Sequence, residues 1–159
     1  MQPTRVRQTA VETATDRALE LARRFGPAVL RVSLAVVFVW FGALKVLGVS
    51  PVAEFVANTV PFLPGDLFVL GLGVVEVVLG AALVMGRSPL IALAIAAHLA
   101  GTFLALLTQP EVTFQGGNLT LLTTEGEFVI KNLVLIGAAL TVAGHSRRQV
   151  TEENFAKAA

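Results

Sequence analysis

The chain has 159 residues, 55% of them hydrophobic, with a formal net charge of +1 and a mean hydropathy of +0.76. That is too apolar for an ordinary soluble domain, and the near-neutral charge gives no reason to expect a nucleic-acid partner. Cysteine is absent and histidine occurs twice, which excludes disulfides, thiol redox chemistry, iron–sulfur ligation and a conventional zinc site. A helix crosses a bilayer in about 20 residues, so four crossings fill this length. The expected fold class is an all-α membrane protein: a bundle of four transmembrane helices with a short β-hairpin-like outer loop. Three parts are expected: a cytoplasmic amphipathic segment over 1–27, a four-helix membrane domain over 28–144 and a cytoplasmic tail over 145–159.

Residues 1–26 are polar and charged and hold no apolar run ahead of a cleavage site, which argues against a signal peptide. Val11, Ala14, Ala18, Leu21 and Phe25 recur at helical spacing. That pattern suits either a helix lying on the membrane surface or a frayed, partly helical tail. Gly26-Pro27 is expected to break this helix and start the next. The first span, 28–49, carries Arg31, Ala35, Phe38, Gly42 and Lys45 on one face. Both cations can snorkel to opposite interfaces. Lys45 sits about one turn inside its end, so it is also a candidate ligand-binding residue. Trp40 lies deeper than an interfacial belt position; it is either a packing residue or the aromatic wall of a ligand site.

Residues 50–64 form the first outer loop, with a short amphipathic helix predicted over 53–59 between prolines. The second span, 66–86, carries Glu76 at its centre. A carboxylate at mid-bilayer costs about 2.5–3.5 kcal/mol on insertion scales, so Glu76 should face the bundle. Gly73 and Gly80 share its face and should admit a neighbouring helix closely. A tight turn containing Arg87 leads to the third span, 89–108. Its Ala94, Ala97, His98, Gly101, Thr102 and Ala105 make a small and polar face, which predicts close helix packing. Counting at about 1.5 Å per residue places His98, Glu76 and Trp40 near one depth. A histidine and a carboxylate at one level can bind a polar ligand, relay a proton or serve only as an interhelical hydrogen bond. Glu76 and His98 are therefore the candidate catalytic, proton-handling pair. A lone mid-span histidine cannot complete a bis-His haem site within one chain.

In the second outer loop, 109–126, strand-like runs at 111–114 and 119–123 flank Gly116-Gly117-Asn118, a hairpin signal. Its apolar residues suggest an ordered cap, with Glu125 and Glu127 near Lys45 and Lys131. The fourth span, 127–144, carries Lys131 and Asn132 about one turn inside, and Gly137, Thr141 and Gly144 suggest another close-packing face. Thr102, Lys131 and Asn132 join Trp40 and Lys45 as candidate ligand-binding residues. Arg5, Arg7, Arg17, Arg23 and Arg24 precede the first span, Arg87 sits in the middle turn, and Arg147, Arg148 and Lys157 follow the last. The outer loops hold no Lys or Arg. The positive-inside rule then places both termini in the cytoplasm.

The stretches RVSLAVVFVWFGALKVLG, VVEVVLG, HLAGTF and EGEFVIKNLVLIGAAL resemble, in that order and over about residues 30–144, the DoxX-like superfamily of small bacterial membrane proteins. The matching positions are Arg31, Gly42 and Lys45, then Glu76, then Gly126, Phe128, Ile130, Lys131 and Asn132. Related sequences often carry aspartate where this chain has Asn132. The resemblance implies a four-helix protein of the bacterial cytoplasmic membrane. It also implies a role in oxidative-stress resistance, redox partner complexes or, in one branch, thiosulfate:quinone oxidoreduction. Three functions compete: a quinone-linked redox or detoxification subunit, a scaffold or assembly partner, and a small proton-coupled transporter. No inverted repeat supports the last. Quinone is the one cofactor these readings suggest. The expected partners are the lipid bilayer and either another protein or a further copy of this chain.

Overall fold

The computed structural model describes residues 3–86 and 88–158, with side chains over 14–86, 88–151 and 155–156. Arg87, and the side chains of Arg5, Arg7, Val11 and Lys157, lie outside these. Helix α1 runs over Pro3–Val46, α2 over Ala53–Ala57, α3 over Gly65–Met85, α4 over Pro89–Gly101, α5 over Leu104–Thr108, α6 over Pro110–Thr113 and α7 over Thr124–Ala158. Among the described residues four segments are long and apolar enough to cross a membrane: Ala14–Val46, Gly65–Met85, Pro89–Thr108 and Thr124–Thr151. Only 22–28% of the most apolar window of each is buried inside the chain. The remaining apolar surface, including Val32, Val36, Val74, Val78 and Val134, would be unstable in water and is suited to lipid. The chain is a multi-pass membrane protein.

The core forms where α1, α3, α4 and α7 meet. Leu34, Ala35 and Phe38 pack with Leu83, Ala92, Ile95, Leu99, Ala139 and Val142. The predicted face of α1 is the one used, and so is the Gly73/Gly80 face of α3. A Cβ on Gly73 would lie 2.7 Å from the Cβ of Lys45 and 2.8 Å from the carbonyl oxygen of Gly42. The backbones of α1 and α3 therefore touch at this crossing, as small residues allow.

Several expectations are corrected. Pro27 lies inside α1 rather than restarting it. Proline removes one hydrogen bond, but the apolar run beyond it carries the helix on, as membrane helices tolerate. At the other end, α7 continues past Gly144 to Ala158, because the polar residues there lack proline and include good helix formers. Part of the predicted small face of α4 does not pack closely: Ala94, Ala97 and Gly101 are exposed, and a Cβ on Gly101 would meet nothing within 4 Å, whereas Ala92 and Ala96 on the neighbouring face are buried. The exposed ones leave room instead. Gly137 and Gly144 are equally open, and α7 packs through Val129, Ala139, Val142 and Ala143.

The second long loop is ordered, with less strand than its residues suggest. Phe114 and Leu122 make an isolated antiparallel bridge, but the run before Phe114 folds as α6 because Pro110 opens a helical turn. The backbone N–H of Thr123 donates to the carbonyl of Thr113 at 3.1 Å, and the Thr123 hydroxyl donates to that of Val112 at 2.6 Å. Thr113 is fully buried. The loop is thereby closed on the first turn of α7.

Candidate functional site

The close crossing of α1 and α3 decides the site. With Gly42 and Gly73 in contact, Lys45 turns inward along α3 instead of reaching for the interface. Its Nζ donates to Oε2 of Glu76 at 2.6 Å. The other carboxylate oxygen, Oε1, lies 3.1 Å from Nε2 of His98. Lys45 retains 7% of its side-chain exposure, and Glu76 and His98 13% each. A charge so enclosed requires a partner, and each of these three groups supplies one to another. The geometry suits donation from Nε2 of His98 to the carboxylate, which accepts from Lys45 on its other oxygen. The ring is held edge-on to Phe38 with centroids 5.6 Å apart.

This triad faces a cavity of about 340 Å³ between α1, α2, α3, α4 and α7. Phe38, Phe55, Phe68 and Phe128 supply aromatic walls; Thr59, Thr102 and Asn132 add polar groups to those of Lys45, Glu76 and His98. A mostly apolar hollow with a few converging polar groups is the usual form of a small-molecule site, and the volume is at the lower end of the usual range of about 300–1,000 Å³. Its wall includes the break between α4 and α5. There the bonds tighten to a three-residue spacing, from the Phe103 N–H to Ala100 and from the Ala105 N–H to Thr102. Irregular backbone at membrane depth is tolerated where it is enclosed in protein or lines a cavity. Asn132 donates to the hydroxyl of Thr102 at 2.8 Å, which joins the break to α7.

The sequence-predicted residues divide clearly. Glu76, His98, Lys45, Thr102 and Asn132 come together around the cavity. Trp40 does not: it is 65% exposed on the outer face of α1, two residues from the inward Phe38 and thus on the far side of the helix. Lys131 also stands outside, 72% exposed and paired with Glu127 at 3.0 Å. The expected cluster of Lys45 with Glu125 and Glu127 does not form, because Lys45 is drawn to Glu76. The sequence reading missed Phe55 and Thr59 of the first loop as site residues. Their signal was present: Phe55, Val56, Thr59 and Val60 fall on one helical face, and all four line the cavity. Gln109 fastens this flap, donating to the carbonyl of Phe55 at 2.9 Å and to the Thr59 hydroxyl at 3.1 Å. Among the described residues no cluster of three or more His, Cys, Asp or Glu offers a metal site.

Comparison with curated proteins and with solved structures finds no match to this chain. The family model described as DoxX matches residues 26–108. That stretch takes in most of the first membrane segment and all of the next two, with Arg31, the Gly42/Lys45 pair, Glu76 and His98 inside it, and the chain belongs to the DoxX family.

Proposed function

We propose that the chain is the membrane subunit of a quinone-linked redox or oxidative-stress defence system, with the cavity as its quinone site. The observation that carries this reading is the Lys45–Glu76–His98 triad opening onto a hollow with phenyl walls. A quinone ring is planar and apolar, with two carbonyl acceptors. The remaining N–H groups of Lys45 suit those acceptors, and the phenylalanines suit the ring. Reduction of a quinone to a quinol takes up two electrons and two protons. A redox protein partner would supply the electrons, and Glu76 with His98 would pass the protons. Mild-detergent purification followed by mass spectrometry should recover bound quinone from the wild type and much less from a Phe128→Trp variant, whose larger ring fills the cavity. Recovery of a stoichiometric protein partner with no quinone would reject the site and favour the scaffold reading. One observation supports that alternative: among the described residues every buried side-chain nitrogen and oxygen already has a partner.

The same proposal places the protein in the bacterial cytoplasmic membrane with both termini in the cytoplasm. The support is the charge distribution along the sequence: Lys and Arg precede the first span and follow the last, Arg87 falls between the second and third, and none lies in the loops 50–64 and 109–126. Native cysteine is absent, so single cysteines report without background. Those at Ser50 and Gln115 should react with an impermeant maleimide in intact cells, and one at Ser88 should stay unlabelled. Labelling of Ser88 alone would invert the orientation.

A further inference from the structure

A second cavity, of about 560 Å³, lies at the opposite end of the bundle, where the chain passes from apolar spans to charged segments. Its walls come from three helices. Arg24, Pro27, Ala28 and Arg31 belong to α1, Val84 and Met85 to the end of α3, and Val142, His145, Ser146 and Gln149 to α7. We infer that this cleft holds the phosphate-bearing headgroup of an anionic phospholipid.

The chemistry of the walls points that way. Two guanidinium groups and an imidazole line the cleft, with serine and glutamine, and none of its described lining residues is acidic. Guanidinium is the side chain best matched to phosphate oxygens, through paired, planar N–H groups. Arg31 is held in place: its Nε donates to the carbonyl of Leu83 at 2.6 Å, in the last turn of α3. That bond answers one of the unpaired carbonyls of a helix end and sets a cation against the negative end of its dipole. It also fixes the guanidinium at the wall of the cleft rather than leaving it to snorkel freely. Arg24 stacks over the ring of Phe25 at 5.5 Å, which steadies the second one. His145 lies 3.1 Å from Gln149 through its Nε2.

Position selects the source of the phosphate. Val84 and Met85 are 61% and 88% exposed beside the cationic walls, so an apolar lip adjoins a basic floor. A soluble phosphate needs only the floor. A phospholipid uses both, with its headgroup in the cleft and its acyl chains along the exposed apolar flank. Basic pockets between membrane helices near the cytoplasmic interface are suited to such headgroups. The inference does not depend on the quinone reading, since the two cavities share no lining residue.

The test uses the full chain in nanodiscs and native mass spectrometry. Wild-type protein released from mixed phosphatidylglycerol–phosphatidylcholine discs should retain phosphatidylglycerol in preference to phosphatidylcholine. The variant Arg24→Gln/His145→Gln should lose that preference by about fivefold or more, the size expected from one cationic contact at the interface. Arg31 is left intact because it ties α3. The control variant Arg147→Gln/Arg148→Gln alters charges outside the cleft and should retain the preference. Equal retention by wild type and the Arg24/His145 variant would overturn the inference. So would an equal loss in the control, which would reduce the effect to diffuse basic charge. Thermal stabilisation by inorganic phosphate as large as that by phosphatidylglycerol would reassign the cleft to a soluble anion.

Discussion

Glu76→Leu should destabilise the protein by about 3–5 kcal/mol, the usual cost of removing one partner from a buried ion pair. Lys45, 7% exposed, would lose its counter-ion, and His98 would lose its hydrogen bond. Glu76→Gln separates this structural cost from the chemistry. The amide oxygen can still accept from Lys45, and the amide nitrogen can donate to His98 once the ring proton moves to Nδ1. The glutamine variant should therefore accumulate in the membrane near the wild-type level, with a smaller loss of stability. It should nonetheless fail to restore oxidant resistance to a deletion strain, because it has neither charge nor titratable proton. The double variant Lys45→Met/Glu76→Leu completes the test. Replacing both members of a buried pair by apolar residues of similar size is often neutral for stability, so this protein should recover the fold without recovering function. Full rescue by Glu76→Gln would show that the carboxylate serves only helix register.

Why Glu76 and His98 are legible in the sequence follows from the cost of polar groups in a bilayer. Such groups are few, they must face inward, and counting residues sets their depth. The same rule found Lys45, yet it could not choose between snorkelling and an inward pair. That choice depends on how closely α1 approaches α3, a distance fixed by Gly42 and Gly73 together. Depth alone misplaces Trp40, because its side chain lies on the opposite azimuth of the helix. The glycine faces show the same ambiguity. On α3 the small residues admit a neighbouring helix, whereas on α4 an identical-looking stripe is left open and becomes a cavity wall. A stripe of small residues says that a backbone is approachable; what approaches it is decided by the other helices. Lys131 followed the local rule instead, pairing one turn back with Glu127.

Gly73→Ala should be among the most damaging single methyl additions in the chain, and Gly71→Ala should be harmless. Both lie on α3, two residues apart, and both replace glycine by a better helix former, a change worth about 0.5–1 kcal/mol in favour of alanine in a helix interior. At Gly71 that gain stands alone, since a Cβ there would meet nothing within 4 Å. At Gly73 the new methyl would lie 2.7 Å from the Lys45 Cβ, 2.8 Å from the Gly42 carbonyl oxygen and 3.1 Å from the Val46 nitrogen. Two of these atoms are backbone, so no rotamer change relieves the clash; α1 must move away from α3. Overpacking of this kind costs about 1–3 kcal/mol, enough to reverse the sign of the alanine gain. The displacement falls one turn from Glu76 and carries Lys45 with it. Gly73→Ala should therefore lower the thermal midpoint in detergent and also weaken the Lys45–Glu76 pair. A double-mutant cycle measures the second effect: the coupling between Lys45→Met and Glu76→Leu should shrink in the Gly73→Ala background and persist in the Gly71→Ala background. Equal thermal midpoints for the two alanine variants would mean that the helices are not held in backbone contact at this crossing.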